Sequence, residues 1–435
     1  MEETQHPVNL PLLLLPSKIK KSLSFLFLFF PTSILILITL VLLACNAVSI
    51  FCLRLPPRLT VPAAPAKPIS AFSKSSSLLL TVEEEIPPSL NKTHTELQPL
   101  FPPPSTSRGS PKPARGSRPN FSILQQTPRS ARFSARAKEF FGGSSSEACD
   151  ARFFMTWISP AESLGRRELL AVESVFKSHP RACLLIISSS LDSKRGARLL
   201  HPFSSRGFRV AAVSPNFAAI FKGTSAEAWF DRLKKGDFHP GEVPLGQNLS
   251  NLLRLVVLYK FGGIYLDTDV IVMKSFSGLR NAIGAQTIDV ASGNWSRLNN
   301  AVMVFDKSHP LLYHFIQEFT QTFDGNRWGH NGPYLVSRVA SRVAGRPGFN
   351  FTVLPPVAFY PVDWSRIRNL FDGPRDALRS KWAGRKLAQI RKESFAIHLW
   401  NRQSRRLEVQ QGSVIGHIIS DCCIFCNSSS SKDFV

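Results

Sequence analysis

The chain has 435 residues, a hydrophobic fraction of 43% and a formal net charge of +23. A hydrophobic fraction of this size is typical of a chain with a packed core. The positive charge favours an anionic partner such as a nucleic acid, a membrane surface or an acidic substrate. Because the sequence contains no helix-turn-helix, zinc-finger or aromatic RNA-binding signature, it gives little support to nucleic-acid binding.

An uncharged segment near the N-terminus predicts a membrane anchor. Residues 22–53 contain no charged residue, and roughly 20 apolar residues are enough to cross a bilayer. A cleaved signal peptide is the alternative, but its apolar region spans only about 7–15 residues. Basic residues are slightly more frequent before the segment than after it, which favours a cytoplasmic N-terminus. We therefore expect a single-pass type II protein of the Golgi membrane, with the catalytic domain in the lumen.

The next segment, residues 54–148, is rich in proline, serine and basic residues. Such a composition offers little apolar surface to offset the entropy of ordering, so it predicts a flexible stem. The predicted organisation is, in order, a cytoplasmic tail (1–21), a membrane anchor (22–53), a stem (54–148), a catalytic domain (149–427) and a tail (428–435).

Short apolar runs alternate with helical stretches once the catalytic domain begins. Three of these runs predict buried strands, at residues 152–158, 182–188 and 208–213. Between the first two, Ser159 followed by proline and by Glu162 predicts the start of a helix that ends near Lys177. Alternating strands and helices predict an α/β fold with a parallel sheet covered by helices. Neither a dinucleotide-binding glycine motif nor a P-loop is present.

A second helix is predicted from apolar residues at helical spacing in residues 247–259. Asn251 and Arg254 are three residues apart, so they share one face of this helix. Gly262 and Gly263 end it, because glycine tolerates a positive φ angle at low cost. The two polar side chains are therefore presented just before a tight turn of the chain.

Two aspartates follow that turn, after the short apolar run 264–266. Asp267 and Asp269 are two residues apart and would carry two negative charges side by side, which is unfavourable unless a cation joins them. Mg²⁺ and Mn²⁺ prefer oxygen ligands and bind through one or two carboxylates together with substrate phosphates. The alternatives are two solvated carboxylates that end a strand, or a phosphatase of the haloacid dehalogenase type. Such phosphatases usually carry threonine or valine where this chain has Ile271.

Six separated blocks resemble the alpha-1,4-glycosyltransferase family of plants and animals, which includes the lactosylceramide 4-alpha-galactosyltransferases (globotriaosylceramide synthases). The blocks are residues 153–157, 251–254, 262–269, 329–333, 354–361 and 398–401. The plant members are the more similar. The resemblance implies a GT-A fold, a Rossmann-like mixed sheet flanked by helices, with the Asp-x-Asp half at about 151–280 and the C-terminal region at about 295–427. It also implies a nucleotide-sugar donor, Mn²⁺ (or Mg²⁺) and retention of anomeric configuration.

The resemblance assigns roles to residues at these blocks. Asp269 is expected to be the more direct metal ligand of the two aspartates, and Asn251 with Arg254 to contact the donor sugar and diphosphate. Animal relatives often have aspartate at the position of Asn251, a difference that bears on donor choice. The candidate metal ligands are Asp267, Asp269 and His398, the candidate catalytic residues are Asp267, Asp269, Arg254 and Asn300, and the candidate donor-binding residues are Trp157, Asn251, Arg254, Tyr265, Asp267, His330 and Trp400.

Several of these candidates have a structural alternative. Trp157 is as well explained by a buried core position as by stacking on the nucleobase. His330 could order its loop, His398 could be a hydrogen-bonded core histidine, and Asn299 with Asn300 could form a polar turn before the strand predicted at residues 301–305.

The five cysteines outside the apolar segment bear on the compartment. In a lumenal domain some of them should form disulfides, and their odd number leaves at least one free. The spacing of Cys423 and Cys426 favours a disulfide or buried thiols over a zinc site, because no second ligand pair lies nearby.

The sequence therefore predicts a hexosyltransferase that uses UDP-galactose and acts on a glycan, glycolipid or glycoprotein acceptor. UDP-N-acetylglucosamine or GDP-mannose on the same scaffold is the nearest alternative, and a catalytically silent sugar-binding or scaffolding protein is an alternative of another class. Association with itself or with other Golgi transferases stays open.

Overall fold

The computed structural model describes residues 122–142 and 149–426. The predicted cytoplasmic tail and membrane anchor, most of the predicted stem and the predicted C-terminal tail lie outside these residues. Within the described part of the chain, no helix has the length and apolar character required to cross a membrane.

The strands are short and follow the apolar runs of the sequence. They are β1 (Arg152–Thr156), β2 (Cys183–Ile187), β3 (Arg209–Val213), β4 (Gly263–Leu266), β5 (Val270–Val272), β6 (Ala282–Ile288), β7 (Trp295–Phe305), β8 (Thr352–Leu354) and β9 (Ala396–His398).

The helices fill the intervals between the strands. They are α1 (Pro128–Ala131), α2 (Phe133–Phe141), α3 (Arg166–Ser178), α4 (Lys194–Ser204), α5 (Phe217–Phe221), α6 (Ala226–Lys235), α7 (Leu245–Phe261), α8 (Pro310–Gln321), α9 (Pro333–Val343), α10 (Arg368–Phe371), α11 (Ala377–Glu393), α12 (Asn401–Ser404) and α13 (Val414–Cys422).

The main sheet has seven strands in the order β3-β2-β1-β4-β7-β6-β8. The pairs β1–β2, β2–β3 and β1–β4 are parallel, as the alternation of strands and helices predicts. The sheet becomes mixed at β7, which runs antiparallel to β4. The predicted α/β class with a mixed sheet flanked by helices is confirmed.

A second sheet of two strands places the C-terminal region next to the aspartate turn. Strand β5 pairs antiparallel with β9, and Val270 lies opposite His398. Because Val270 directly follows Asp269, this register brings a histidine from late in the chain beside the Asp-x-Asp motif.

Alternating side chains of β1 divide the core between the two faces of the sheet. Phe153 and Met155 pack in one hydrophobic cluster and Phe154 in the other. Helix α7 is buried over most of its length, from Asn248 to Leu258, because it packs between the sheet and α8. This buried helix presents Asn251 and Arg254 at the carboxyl end of β4.

Three local predictions differ from the structure. The helix predicted to start at Ser159 begins instead at Arg166, after a 3-10 turn. The Glu168 side chain accepts a hydrogen bond from the Gly165 amide at 2.8 Å and so caps the helix at this point. Asn299 and Asn300 lie inside β7 rather than before it, since the Asn299 amide pairs across the sheet with Gln286 at 3.0 Å.

The third difference concerns the end of the predicted stem. Residues 122–142 are largely helical and pack on the domain, with Phe133 and Ala137 fully or nearly fully buried. Arg136 binds Asp192 through both of its terminal nitrogens, at 2.6 and 3.1 Å. These contacts supply the ordering energy that the composition of this segment alone does not suggest, so the folded part begins before residue 149.

The five cysteines among the described residues form two disulfides, Cys149–Cys183 and Cys423–Cys426. Cys422 is free and buried, and its burial raises the pKa of the thiol to about 12. One free cysteine among five agrees with the odd count, and the disulfide at the last pair agrees with the preference over a zinc site.

Candidate active site

The two aspartates lie in the turn between β4 and β5. The Asp267 amide donates to the Ala301 carbonyl at 2.8 Å, which holds this residue against β7. The Val270 amide donates to the Asp267 carbonyl at 3.1 Å and closes the turn. The motif therefore lies where the main sheet ends and the second sheet begins, which is the edge where α/β proteins place ligands.

Asp267 is held by residues of the first half of the domain. Arg254 binds both of its carboxylate oxygens, at 2.9 and 3.2 Å. The Tyr265 hydroxyl donates to the same carboxylate at 2.9 Å. Arg254 itself is 2% exposed and donates to the Asn300 carbonyl at 2.7 Å, so α7, β4 and β7 are joined at this point.

The hydroxyl groups behind Asp267 form a short chain. The Thr156 hydroxyl at the end of β1 lies 2.8 Å from the Tyr265 hydroxyl and 2.5 Å from that of Ser250. Burial raises the pKa of Tyr265 well above its usual value, so the phenol stays protonated and can donate to Asp267. Thr156 and Ser250 were not singled out from the sequence, since isolated hydroxyl residues carry no motif.

Asp269 is held by one short segment of the second half of the domain. His398 Nε2 lies 3.2 Å from its Oδ1, and the Asn401 amide donates to its Oδ2 at 2.9 Å. The Leu399 amide also donates to the Asp269 carbonyl at 2.9 Å. Trp400 has a φ of 54°, a left-handed conformation that reverses the chain so that both sides of the segment face Asp269.

The two carboxylates have opposite electrostatic settings. Burial, together with the charge of Asp269, raises the pKa of Asp267 despite the nearby Arg254. Burial also acts to raise the pKa of Asp269, but the positive charge and hydrogen bond of His398 outweigh it and leave this pKa lowered. For His398, burial acts to lower the pKa, but Asp269 outweighs burial and leaves it raised.

Asp267, Asp269 and His398 fit a divalent cation. One ligand atom from each lies within 4.8 Å of the other two, and the set offers two oxygens and one nitrogen. His398 Nδ1 and Asn401 Oδ1 are buried beside it without a hydrogen-bond partner among the described residues. Mg²⁺ and Mn²⁺ take carboxylate oxygens, so the predicted ligands lie together in a suitable arrangement.

Four asparagines form an amide cluster next to the aspartates. Asn300 donates to Asn251 at 3.0 Å, and Asn331 donates to Asn248 at 3.0 Å. Gly332 packs so closely on Asn251 that a β-carbon would lie 2.9 Å from its Oδ1. Asn248 and Asn331 were missed as site residues, although Asn331 lies in a block that carries the resemblance and Asn248 lies three residues before another.

Asn248 also begins a glycosylation sequon. It is 2% exposed, so the folded domain leaves no room for a glycan on this side chain.

The remaining candidates take different places. Trp157 is 8% exposed, lies in the core and donates to the Pro160 carbonyl at 3.2 Å. His330 Nε2 lies 2.8 Å from the Thr322 carbonyl, a contact that orders its own loop. The centre of the Trp400 ring lies 4.2 Å from that of His398, so the indole packs on a candidate metal ligand. None of the described hydrogen bonds joins Trp157 or His330 to the aspartates, and their donor-binding roles stay predictions.

Two family models match the chain. A glycosyltransferase sugar-binding region containing the DXD motif matches residues 165–288, and an alpha 1,4-glycosyltransferase conserved region matches residues 304–430. The first match contains Arg254, Asp267 and Asp269, and the second contains His398 and Asn401. The candidate site is therefore assembled from both matched regions.

Named relatives are found in plants and animals. An uncharacterized protein of Arabidopsis thaliana is 32% identical over 65% of this chain, which spans 43% of that protein. The lactosylceramide 4-alpha-galactosyltransferase of Rattus norvegicus is 30% identical over 59% of this chain and 69% of its own length. The alpha-1,4-N-acetylglucosaminyltransferase of Homo sapiens is 27% identical over 36% of this chain and 43% of its own length.

Likeness to solved structures is weak. The galactosyltransferase LgtC in complex with donor and acceptor sugar analogs is 12% identical and gives a TM-score of 0.32, with 65% of this chain and all of that chain covered.

Proposed function

This chain belongs to the alpha-1,4-glycosyltransferase family, and we propose that it transfers galactose from UDP-galactose to an acceptor hydroxyl in alpha linkage. The two family models and the relatives in sequence confirm the family predicted from the six sequence blocks. The donor sugar, the divalent ion, the GT-A assignment and the Golgi location belong to the proposal. The acceptor is a glycan, glycolipid or glycoprotein.

The observation that carries the proposal is the meeting of Asp267, Asp269 and His398 at the edge of the sheet. A divalent ion, Mn²⁺ or Mg²⁺, bound to these residues would neutralise charge that develops on a departing nucleotide diphosphate. Arg254 fixes the Asp267 carboxylate, and the Asn401 amide fixes that of Asp269. Both carboxylates are thus positioned before any ligand arrives, which is how electrostatic catalysis avoids reorganisation.

The amide cluster is suited to the donor sugar. Asn300 donates from its Nδ2 to the Oδ1 of Asn251. The Nδ2 of Asn251 and the Oδ1 of Asn300 are left to bind sugar hydroxyls. We assign them to the donor hexose because they adjoin Arg254 and the aspartate turn. UDP-N-acetylglucosamine is the second candidate donor, favoured by the similarity to the human N-acetylglucosaminyltransferase.

For the chemistry we propose a front-face displacement with retention. The acceptor oxygen bonds to the anomeric carbon as the bond from that carbon to the diphosphate oxygen breaks, and the acceptor proton passes to the departing diphosphate. Retaining hydrolases instead use a carboxylate nucleophile. Trapping of a covalent sugar adduct on this chain would contradict the displacement.

The test is nucleotide release from a panel of nucleotide sugars with Mn²⁺. We expect release from UDP-galactose and much less from GDP-mannose, and we expect a chelator to stop it. A matched Asp269→Asn variant is the control for contaminating hydrolases. Absence of release from every donor would favour the silent sugar-binding alternative and contradict the proposal.

The predicted location has its own test. A fusion at the N-terminus of the full chain should co-localise with Golgi membranes, and residues beyond the predicted anchor should resist protease until the membrane is permeabilised. Degradation of those residues in sealed vesicles would contradict a lumenal domain.

A further inference from the structure

Trp328 is a large aromatic side chain left half exposed beside the candidate site. It lies in the loop between α8 and α9, and 51% of its surface is exposed. The guanidinium carbon of Arg402, in α12, lies 4.2 Å from the centre of its ring. A cation over the face of an indole is attracted by the ring electrons, so this contact favours one orientation of the exposed ring.

The loop that carries Trp328 is anchored in the amide cluster. Its Asn331 side chain donates to Asn248 at 3.0 Å and to the Asp324 carbonyl at 2.8 Å. The next residue, Gly332, packs directly on Asn251. The base of the loop therefore touches the residues assigned to the donor sugar.

Arg402, the other residue of this contact, lies close in the sequence to the candidate metal ligand His398. Arg402 directly follows Asn401, whose amide donates to Asp269 at 2.9 Å. The contact between Trp328 and Arg402 thus joins two segments that each have one end in the candidate site. It follows that the indole lies at the rim of the site, on the side formed by the second half of the domain.

We propose that Trp328 and Arg402 form the acceptor subsite and bind a neutral pyranose ring of the acceptor. The C–H face of such a ring packs on an exposed indole, and its hydroxyls can accept from the guanidinium group. In α/β folds the nucleotide binds over the carboxyl ends of the parallel strands, here β1 to β4. The Trp328 loop follows α8, in the part of the chain after antiparallel β7, which leaves this rim to the acceptor rather than to the nucleobase.

The assignment rests on the proposed glycosyl transfer, but it is tested by binding rather than by turnover. Lactose, cellobiose and xylobiose are each titrated into the protein with Mn²⁺ and UDP present, and binding is read by saturation-transfer difference NMR and tryptophan fluorescence. We expect at least one of these disaccharides to bind and Trp328→Ala to weaken its binding about tenfold. Arg402→Gln should weaken it less, because the indole remains.

Tyr313→Ala is the matched control. Tyr313 is 37% exposed on α8 and contacts Tyr259 away from the aspartate turn, so its removal should leave saccharide binding unchanged. Thermal unfolding of each variant checks the fold, which a half-exposed side chain should not endanger.

Three results would overturn the inference. They are equal saccharide binding by Trp328→Ala and the unaltered protein, no binding of any of the three disaccharides, and a loss of UDP affinity in Trp328→Ala that matches the loss of saccharide affinity. The last would assign the indole to the nucleotide. Failure of nucleotide release in the unaltered protein would instead contradict the proposed function, so the two failures are distinguishable.

Discussion

The two aspartates of the motif occupy different surroundings although a single residue separates them. Asp267 is bound by Arg254 at two points and is fixed by the first half of the domain. Asp269 is bound by His398 and the Asn401 amide from the second half. A carboxylate already neutralised by a buried guanidinium has less to offer a cation. We therefore propose that Asp267 mainly organises the site and that Asp269 is the main carboxylate ligand of the ion.

The sharpest way to break this comparison is Asp269→Asn. It keeps the shape and one hydrogen-bond acceptor but removes the charge that the divalent ion requires. We expect donor turnover to fall roughly a thousandfold, about 4 kcal/mol of transition-state stabilisation. The measurement is nucleotide release at saturating Mn²⁺, with the melting temperature as a control. Retention of full activity would refute the metal assignment.

Arg254→Met tests the other half of the comparison. It keeps much of the side-chain volume but leaves the Asp267 carboxylate without its charged partner. Breaking a buried ion pair from one side costs about 3 kcal/mol, so we expect a clear loss of stability as well as of activity. Urea unfolding measures it. A variant that unfolds at the urea concentration of the unaltered protein would show that Arg254 is not needed to fix Asp267.

His398→Gln sharpens the role given to Asp269. The change removes the candidate ligand nitrogen and its contact with the Asp269 carboxylate, while glutamine keeps a polar side chain. We expect affinity for Mn²⁺ to fall about a hundredfold, an effect comparable with the loss of a well-placed ligand or its support. Stabilisation of the protein by added Mn²⁺, read as the shift in melting temperature, reports it. An unchanged shift would mean that His398 is only a core histidine.

The smallest expected effect concerns Asp192, a carboxylate held by Arg129 and Arg136 much as Asp267 is held by Arg254. Burial acts to raise the pKa of Asp192, but hydrogen bonds from Arg136 and the Ser214 amide outweigh it and leave the pKa lowered. Its contribution to stability is present above the unfolded pKa of about 3.9 and is lost as the pH falls through the folded pKa.

Asp192→Asn should therefore destabilise the protein by about 2 kcal/mol near neutral pH and by less under acid conditions. Melting temperatures of the two proteins from neutral to acid pH give the comparison. A gap that stays constant over the whole range would mean that packing, and not charge, sets the effect of Asp192.

What could be predicted from the sequence is what neighbouring residues determine. Helical spacing placed Asn251 with Arg254, and the two glycines marked the turn before Asp267, because these signals act within one or two turns of the chain. The pairing of Asn248 with Asn331 could not be found in this way, since it depends on where the fold places the loop before α9, 83 residues further along the chain. The start of α3 was misplaced for a local reason. The Glu168 side chain accepts a hydrogen bond from the Gly165 amide, so the helix is capped at Gly165 and not at Ser159.

The left-handed residue at Trp400 has a consequence for how the chain tolerates length changes. Because the backbone reverses there, the His398 ring and the Leu399 and Asn401 amides all contact Asp269 from one short segment. Two of these three contacts come from backbone amides, so they depend on the spacing of the residues more than on the side chains. Insertion or deletion of one residue in this segment would therefore break the contacts with Asp269, whereas many side-chain changes in α12 after Asn401 would leave them intact.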